Sequence, residues 1–337
     1  MSCNVVVGGF FGDEGKGKIV AYLALKDKPA IVARGGVGPN AGHTVIVEGK
    51  KYSLRMVPSG FLNSECRLLI GPGVSVDPDV LVKEIEITGI DSRLGIDPHC
   101  PIIEKRHIEQ ENISEHLKTK LGSTGSGSGA CVAERALRSV KTARDVPELS
   151  KYLADVPSEV NEALDKGMGV LVEGTQGTYL SLYHGTYPYC TSKDVCASAI
   201  CSDVGLGPTR VSDVTLVLKS FVTRVGEGPL PGQLSRDEVL RRGWIEYGTV
   251  TGRERRAAPF DFNLARRAVM LNGATQIALT KIDLISPEAS RVSSYKDLPA
   301  KAKEFIERIE KETMRPVTLI GTGPSIFDII DRRRHVS

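Results

Sequence analysis

Residues 4–25 read NVVVGGFFGDEGKGKIVAYLAL, and this stretch decides the fold. Asn4–Val7 is a short, mainly apolar run that ends at two glycines, which is typical of a buried strand entering a loop. Ile19–Leu25 is again apolar and predicts a helix, so a glycine-rich loop lies between the two elements. A strand, a glycine loop and a helix in this order are the opening unit of α/β folds that hold phosphate at a helix N-terminus.

Further apolar runs predict the rest of a sheet. Ala30–Arg34 is a second strand candidate, and Thr44–Val47 with Tyr52–Met56 predicts an antiparallel hairpin joined through residues 48–51. The other buried runs are Leu68–Ile70, Gly169–Val172, Val214–Leu218, Ile277–Leu279 and Val317–Ile320. Helix-like stretches, among them 301–314, alternate with these runs. We therefore expect an α/β fold with a large mixed, mainly parallel central sheet covered by helices and a P-loop-NTPase-like nucleotide-binding core, in a single domain over 1–337.

The composition excludes several classes of protein. The 337 residues carry 44 Lys and Arg against 41 Asp and Glu, and the resulting net charge of +3 does not favour a nucleic-acid or membrane surface. No apolar run reaches the roughly 18 residues of a transmembrane helix, and the N-terminus lacks the basic region of a signal peptide. The 7 cysteines match neither a disulfide framework nor a usual zinc pattern. We expect reduced thiols in a cytoplasmic protein.

The first loop carries an unusual phosphate-binding motif. Gly12–Lys18 fits G-x-x-x-x-G-K, but the next position, which should be Ser or Thr for magnesium, is Ile19. Asp13 and Glu14 would repel phosphate unless a cation or a proton-transfer role compensates. The motif alone leaves two interpretations equally open: an acid that performs chemistry beside the phosphates, and an acidic turn that caps the helix.

A second motif, Thr280-Lys281-Ile282-Asp283, directly follows a predicted strand. It resembles the [NT]-K-x-D element that reads guanine, in which the carboxylate accepts from the guanine N1–H and 2-amino group. The lysine stem packs over the ring. Because adenine offers no such pair of donors, this motif together with a phosphate loop favours a guanine nucleotide.

Motifs along most of the chain resemble those of the adenylosuccinate synthetase family, in that family's order from residue 5 to about 325. The matching segments are GDEGKGK at 12–18, NAGHT at 40–44, EGTQGT at 173–178, HGTYPY at 184–189 with Thr191-Ser192, TRVGEGP at 223–229, TGR at 251–253, TKID at 280–283 and TGP at 322–324. Members of the family use GTP and Mg²⁺ to join IMP to L-aspartate through a 6-phosphoryl intermediate, which gives adenylosuccinate, GDP and phosphate in the first committed step from IMP to AMP.

The resemblance implies a separate role for each catalytic residue. Asp13 would take the proton from N1 of IMP, and His43 would stabilise the charge on O6 and the migrating phosphoryl group, with Gln176 helping at the same oxygen. Mg²⁺ would be held by Asp13 and the backbone carbonyl of Gly42. Family members donate an arginine across a homodimer to the neighbouring active site, and Arg138 stands at that position.

The same resemblance assigns the substrate contacts. Those to GTP are Gly12, Glu14, Gly15, Lys16, Gly17, Lys18, Gly42, His43, Thr44, Lys281, Asp283, Thr322, Gly323 and Pro324. Those to IMP are Asp13, Asn40, Ser123, Thr124, Arg138, Gln176, Thr191 and Val225. Those to aspartate are Val250, Thr251, Arg253 and Arg255, where arginine forks suit the two carboxylates.

The chain also departs from the family pattern. Phe10 and Phe11 replace Gln-Trp, Val250 replaces a threonine, and Glu254 replaces an arginine. The chain is shorter than the common form, which predicts a compact member with the catalytic core kept.

Three other classes of protein fit the sequence less well. A GTP-binding switch protein would need Ser or Thr after Lys18 and a D-x-x-G element, and Asp13 would serve no purpose in it. A nucleic-acid-binding protein would rest on the basic segments 253–256 and 332–334, but the charge balance and the scarcity of aromatic residues speak against it. An inactive relative would not be expected to keep Asp13, His43 and Gln176.

Overall fold

The computed structural model describes residues 3–250 and 252–333. Its strands are β1 Cys3–Gly8, β2 Ile31–Arg34, β3 His43–Val47, β4 Lys50–Leu54, β5 Arg67–Ile70, β6 Leu94–Ile96, β7 Val170–Glu173, β8 Asp213–Lys219, β9 Phe221–Arg224, β10 Arg256–Pro259, β11 Gln276–Thr280, β12 Val317–Gly321 and β13 Ile329–Asp331. Its α-helices are α1 Lys16–Asp27, α2 Pro78–Thr88, α3 Lys105–Ile113, α4 Ser128–Leu137, α5 Val156–Asp165, α6 Ala197–Asp203, α7 Arg236–Arg241, α8 Phe262–Asn272 and α9 Ala300–Thr313.

One nine-stranded sheet runs through the molecule in the order β13-β12-β11-β8-β1-β7-β2-β5-β6. All its pairs are parallel except β12 with β13 at one edge. The sheet is therefore mixed and mainly parallel, as expected from apolar runs alternating with helices. Every predicted buried run lies in it.

Helices cover both faces of the sheet because the central strands are apolar on both sides. Along β1, Val5 and Val7 face a cluster that also contains α5, α6, α8 and α9. Val6 faces the opposite cluster, which contains α1 and α2. The prediction of a large helix-covered α/β sheet is confirmed.

The predicted hairpin is present as β3 and β4, but its bounds differ from the prediction. Its first strand begins at His43 instead of Thr44, and its second strand spans Lys50–Leu54 instead of Tyr52–Met56. The turn contains only Glu48 and Gly49, at φ 49° and 78°. Two consecutive residues at positive φ form the tight turn that matches the twist of paired strands. Because Lys50 and Lys51 are exposed, their polarity resembles that of a loop although they pair with β3.

Two further expectations concern the state of the cysteines and the absence of a transmembrane helix. All seven cysteines are free thiols, and only Cys190 is not fully buried. Within 3–250 and 252–333, no helix combines the length and apolar character needed to cross a membrane.

Candidate active site

A cavity of about 380 Å³ lies at the carboxyl ends of the parallel strands, where loops after β1, β2 and β7 converge. This edge is where open α/β sheets bind their ligands. The predicted site residues that line it are Gly12, Asp13, Lys16, Asn40, Gly42, His43, Ser123, Thr124, Gln176, Thr191, Val225, Val250 and Arg253. The sequence segments that supply them span most of the chain, so folding brings the predicted catalytic groups and the predicted IMP contacts other than Arg138 to one place.

The loop after β1 is shaped by Glu14. Its carboxylate accepts hydrogen bonds from the backbone N–H groups of Phe10 and Gly12 at 2.9 and 2.8 Å and from Lys16 Nζ at 2.9 Å. Glu14 is fully buried, so this carboxylate folds the loop back on itself instead of facing a ligand. The neighbouring Asp13 has φ 63° and lines the cavity. The two acidic residues of the motif therefore have different surroundings.

Asp13 is held by a cation from a distant loop. Arg255 Nη2 lies 2.8 Å from Asp13 Oδ1. Burial raises the pKa of Asp13 above its ordinary value, although Arg255 and Lys219 act in the opposite direction. A carboxylate with a raised pKa that lines a cavity is suited to accept a proton.

His43 lines the same cavity, and its two ring nitrogens have different surroundings. Its Nδ1 contacts the carboxylate of Glu173, which also accepts from the Ser59 backbone N–H at 2.7 Å and the Ser59 hydroxyl at 2.5 Å. Arg34 Nη1 lies 3.1 Å from Nδ1. The other ring nitrogen, Nε2, is buried and has no hydrogen-bond partner within the described part of the chain. Burial, together with the charge of Arg34, lowers the pKa of His43 to about 4, against the opposing effect of Glu173.

At the predicted IMP end, small polar side chains and a carboxylate organise the loops. Asn40 Nδ2 donates to Thr191 Oγ1 at 3.1 Å. Asn40 Oδ1 is buried and finds no partner in residues 3–250 and 252–333. Glu111 accepts from the backbone N–H groups of Gly127 and Gly129 at 2.9 and 2.5 Å, which fixes the glycine-rich segment that leads into α4. That segment has the composition of a linker but forms part of the cavity wall.

The predicted guanine end lies beside the ends of β11 and β12. Lys18 Nζ donates to the carbonyl oxygens of Gly323 and Asp328 at 2.6 and 2.8 Å, and burial lowers its pKa to about 8. Thr280 Oγ1 donates to the Glu14 carbonyl at 2.6 Å, which ties the first loop to the TKID motif. Asp283 Oδ1 is buried without a hydrogen-bond partner in the described structure, so it could accept hydrogen bonds from a ligand.

The remaining predicted GTP contacts are Gly15, Gly17, Thr44, Lys281, Thr322 and Pro324, and they lie in the same loops or at their borders. The cavity lining includes neither these nor Lys18 and Asp283, as far as the described residues show. In α1 it is Lys16, not Lys18, that lines the cavity.

The predicted aspartate loop forms part of the cavity wall. A Cβ on Gly42 would lie 2.7 Å from the Thr249 side chain and 3.2 Å from that of Val250, so this loop packs directly on the loop after β2. Arg253 Nη2 donates to the Gly122 carbonyl at 2.6 Å, which joins the loop to the predicted IMP segment. Thr251 lies outside the described residues.

Two predicted arginines stand apart from the cavity lining. Arg255 is buried behind the aspartate loop, between Asp13 and Glu246. Arg138 follows α4 at φ 65° and is exposed. The structure thus presents Arg138 on the surface of the chain.

Several charged residues at the site were missed by the sequence analysis. Arg34, Glu173, Lys219 and Arg224 each end a strand, at the edge where the cavity lies. A charged residue that closes an apolar run is a signal that could have found them. Glu246 follows no long apolar run, and two of its three partners, Lys219 and Lys281, are 27 and 35 residues away in the sequence.

A second cavity, of about 500 Å³, lies at the opposite edge of the sheet, beside the starts of the strands. Its polar side chains bond to one another, as Arg333 does with Asp27 and Thr318 with Gln276, each at 2.6 Å. None of the predicted site residues lines it.

Known proteins resemble this chain in sequence and in structure. The family model described as adenylosuccinate synthetase matches residues 5–148 and 140–290. The adenylosuccinate synthetases of Archaeoglobus fulgidus and Thermococcus onnurineus are 54% and 55% identical to it, over 99% of this chain and 99% of each relative. That of Methanocaldococcus jannaschii is 54% identical over 100% of this chain and 98% of its own length.

Solved structures agree with these sequence matches. A fully ligated adenylosuccinate synthetase from Plasmodium falciparum has a TM-score of 0.91 and 26% identity, over 98% of this chain and 100% of its own. A cyanophage S-2L succinoaminodeoxyadenylate synthetase bound to dGMP and dATP has a TM-score of 0.83 and 26% identity, over 98% of this chain and 95% of its own. Likeness of this extent, at whole-chain coverage, has one explanation: the chain belongs to the adenylosuccinate synthetase family, the ligases that use GTP to join IMP to aspartate on the route to AMP.

Proposed function

We propose that the cavity beside β1 carries out the family reaction with Asp13 and His43 as its two catalytic groups. The observation that carries this proposal is their placement: a carboxylate of raised pKa and an unpartnered imidazole nitrogen line one cavity. The product is adenylosuccinate, and GDP and phosphate are released.

The proposed chemistry starts at the purine base. The 6-oxygen of IMP is a poor leaving group, so it must be phosphorylated before an amine can replace it. Asp13 takes the N1 proton, which makes O6 nucleophilic, and O6 attacks the γ-phosphorus of GTP while GDP leaves. The aspartate amine then attacks C6, the C6–O6 bond breaks, and phosphate departs with O6.

His43 and Gln176 act at the oxygen where charge develops. With Nδ1–H donated to Glu173, neutral His43 presents a lone pair at Nε2, so donation from Nε2 requires the imidazolium form. The bound phosphates, together with Glu173, favour that form, and the protonated ring then stabilises the negative charge on O6 and the phosphoryl group. Gln176 lies at φ 54° on the same cavity wall.

The contacts to IMP remain as the family resemblance assigns them. Asn40, Ser123, Thr124, Thr191 and Val225 hold IMP, supported by their shared cavity wall. Arg138, exposed after α4, reaches the IMP phosphate of a neighbouring subunit in a homodimer.

For GTP, the residues of the first loop and of 42–44 hold the phosphates. Asp283 reads the guanine donors, and Lys281 covers the ring. The segment 322–324 borders the base and is braced by the bonds of Lys18 to this loop.

For L-aspartate, Thr251 and Arg253 with Val250 form the closing loop. Arg255 has two carboxylate partners in the chain itself, Asp13 and Glu246. These pairs support a positioning role for Arg255, in place of the direct aspartate contact that the resemblance assigns.

The donor set at the first loop fits Mg²⁺. The Asp13 carboxylate and the carbonyl of Gly42 lie on one cavity wall, and few protein oxygens shared with substrate phosphates suit this ion. Bound there, the ion would neutralise phosphate charge during transfer. A GTPase switch function is not favoured, because the family match covers the chain and Asp13 lines the cavity.

The proposal also covers the domain organisation and the cellular compartment. Residues 1–337 act as one domain, supported by a sheet that takes β1 and β13 from the two ends of the described chain. The compartment is the cytoplasm, supported by seven free thiols.

The proposal is tested by measuring phosphate release from GTP with IMP, L-aspartate and Mg²⁺, omitting each component in turn. We expect release and adenylosuccinate only with all four, and little activity when ATP replaces GTP or dGMP replaces IMP. Asp13→Asn should lower kcat by about 10²-fold or more while GTP still binds. GTP hydrolysis without IMP or aspartate would contradict the proposal, and so would an active Asp13→Asn variant.

A further inference from the structure

Glu246 lies where three cations from separate parts of the chain meet. Its carboxylate accepts from Lys219 Nζ at 2.9 Å, from Arg255 Nη1 at 2.5 Å and from Lys281 Nζ. The side chain is only 8% exposed. Burial opposes its ionisation, but Lys219, Lys281 and Arg255 together hold its pKa well below the ordinary value. Glu246 is therefore a buried carboxylate that the predicted site residues did not include.

The partners of Glu246 belong to opposite ends of the active site. Arg255 uses its other terminal nitrogen, Nη2, to hold Asp13 Oδ1 at 2.8 Å. Lys281 is the lysine of the guanine motif, directly after β11. A continuous path of charged contacts thus runs from Lys281 through Glu246 and Arg255 to Asp13.

The charges along this path depend on one another. Lys219 and Arg255 are buried and Lys281 is 34% exposed, and Glu246 is the carboxylate that these three mutually repelling cations share. Without the charge of Glu246, Lys281 would be pushed towards solvent and Arg255 would keep only Asp13 as a carboxylate partner. Removing the counter-charge of buried cations in this way is strongly unfavourable.

We infer that Glu246 is a positioning residue that couples guanine binding to the placement of Asp13. This rests on the proposed function, because it assigns guanine to Lys281 and IMP to Asp13. A guanine ring on the Lys281 stem restricts that side chain and holds its amine on Glu246. Glu246 in turn fixes Arg255, and Arg255 fixes Asp13 at the cavity. The nucleotide that binds first therefore orders groups that the second one needs, and each tightens the binding of the other.

The test measures binding of IMP by titration calorimetry, with and without a non-hydrolysable GTP analogue and Mg²⁺. For the native protein we expect IMP to bind about 5-fold or more tightly when the analogue is present. Glu246→Gln keeps the side-chain shape but removes the charge. The ratio of IMP affinities with and without the analogue should then fall to near one. In turnover assays the same variant should lower kcat and raise the KM for GTP more than the KM for aspartate.

The matched control is Glu254→Gln, in a glutamate of the same loop that pairs with Arg236 at 3.0 Å and is 34% exposed. This variant should keep the native ratio. If Glu246→Gln does not fold, Glu246→Gln with Lys219→Met removes one charge of each sign and should restore folding without restoring the coupling.

The inference would be overturned if the GTP analogue did not tighten IMP binding to the native protein. It would also be overturned if the analogue tightened IMP binding to a folded Glu246 variant as much as to the native protein. If the native protein binds neither IMP nor the GTP analogue, the proposed function itself fails, which the native titrations alone reveal.

Discussion

His43 combines a buried position with two neighbours of opposite charge. The ring is 4% exposed, and Arg34 and Glu173 lie on the same side of it. These two residues end the paired strands β2 and β7, so the sheet register sets their position beneath the ring. The sheet register thereby places both charged groups at Nδ1 of His43.

The lowered pKa of His43 predicts that the protein loses stability in mild acid. Its folded-state pKa of about 4 lies below the ordinary 6.5, so between these values the unfolded chain binds a proton that the folded chain does not. Stability from this group is complete above pH 6.5 and is lost as the pH falls towards 4. Between pH 7 and 5 we expect a loss of about 2 kcal/mol in the free energy of unfolding.

Denaturant unfolding at both pH values measures this effect. His43→Gln should show a pH-dependent loss smaller by about that amount. His99→Gln, which removes an imidazole that is 63% exposed, should keep the native dependence. An equal loss in the His43 and His99 variants would show that His43 is not the group responsible.

At this scale, the sequence was informative wherever function lies in a local motif. Asp13, His43 and Asp283 could be singled out because glycines or a strand end stand beside them in the chain. Glu246 and Lys219 could not, because Glu246 meets Lys219 and Lys281 across 27 and 35 residues of sequence. The assigned substrate contacts themselves stay predictions.

Among the elements, the β3–β4 hairpin allows the free energy of a positive φ angle in a turn to be measured separately from side-chain clashes. Gly49 has φ 78°, and a Cβ there would meet nothing within 4 Å. Any effect of a substitution therefore comes from backbone conformation and not from a clash.

We expect Gly49→Ala to destabilise the protein by about 1 kcal/mol, because an alanine at positive φ brings its Cβ too close to the backbone. For a chain of this size the melting temperature should fall by about 2 °C. Gly49→Asn is the control, since asparagine tolerates this conformation, and it should lose less. Equal melting temperatures for the alanine and native proteins would contradict the assigned turn.

The elements differ in how well their patterns predicted them. The central strands could be predicted because they are apolar on both faces. The edge strand β13 and the pair β9–β10 could not, since charged residues or proline interrupt their apolar stretches. The second hairpin strand begins earlier than predicted because its first residues are lysines that face solvent.

For the whole molecule, the proposed homodimer predicts that two inactive variants restore activity when their subunits are mixed, which a monomer could not do. Asp13→Asn and Arg138→Gln should each be nearly inactive alone, because one removes the base and the other the arginine given to the neighbour. After mixing and subunit exchange, half of the dimers combine the two variants, and each of these has one intact site. Activity should recover to about a quarter of the native value.

The mixing assay is checked by combining Asp13→Asn with Arg144→Gln, an exposed arginine in the segment that follows α4. The Arg144 variant should be active alone and should gain nothing from mixing. Failure of the first mixture to recover activity, with subunit exchange verified by mass, would remove Arg138 from the neighbouring site.

The bonds of Lys18 to the carbonyls of Gly323 and Asp328 join residues that are 305 and 310 positions apart. During synthesis the first loop leaves the ribosome long before its partner exists. The buried amine of Lys18 can reach these acceptors only when the last strands have been made. A chain clipped before residue 323 would lack both acceptors, so we expect it to leave the amine of Lys18 without these two bonds and the loop after β1 without its tie to the segment after β12.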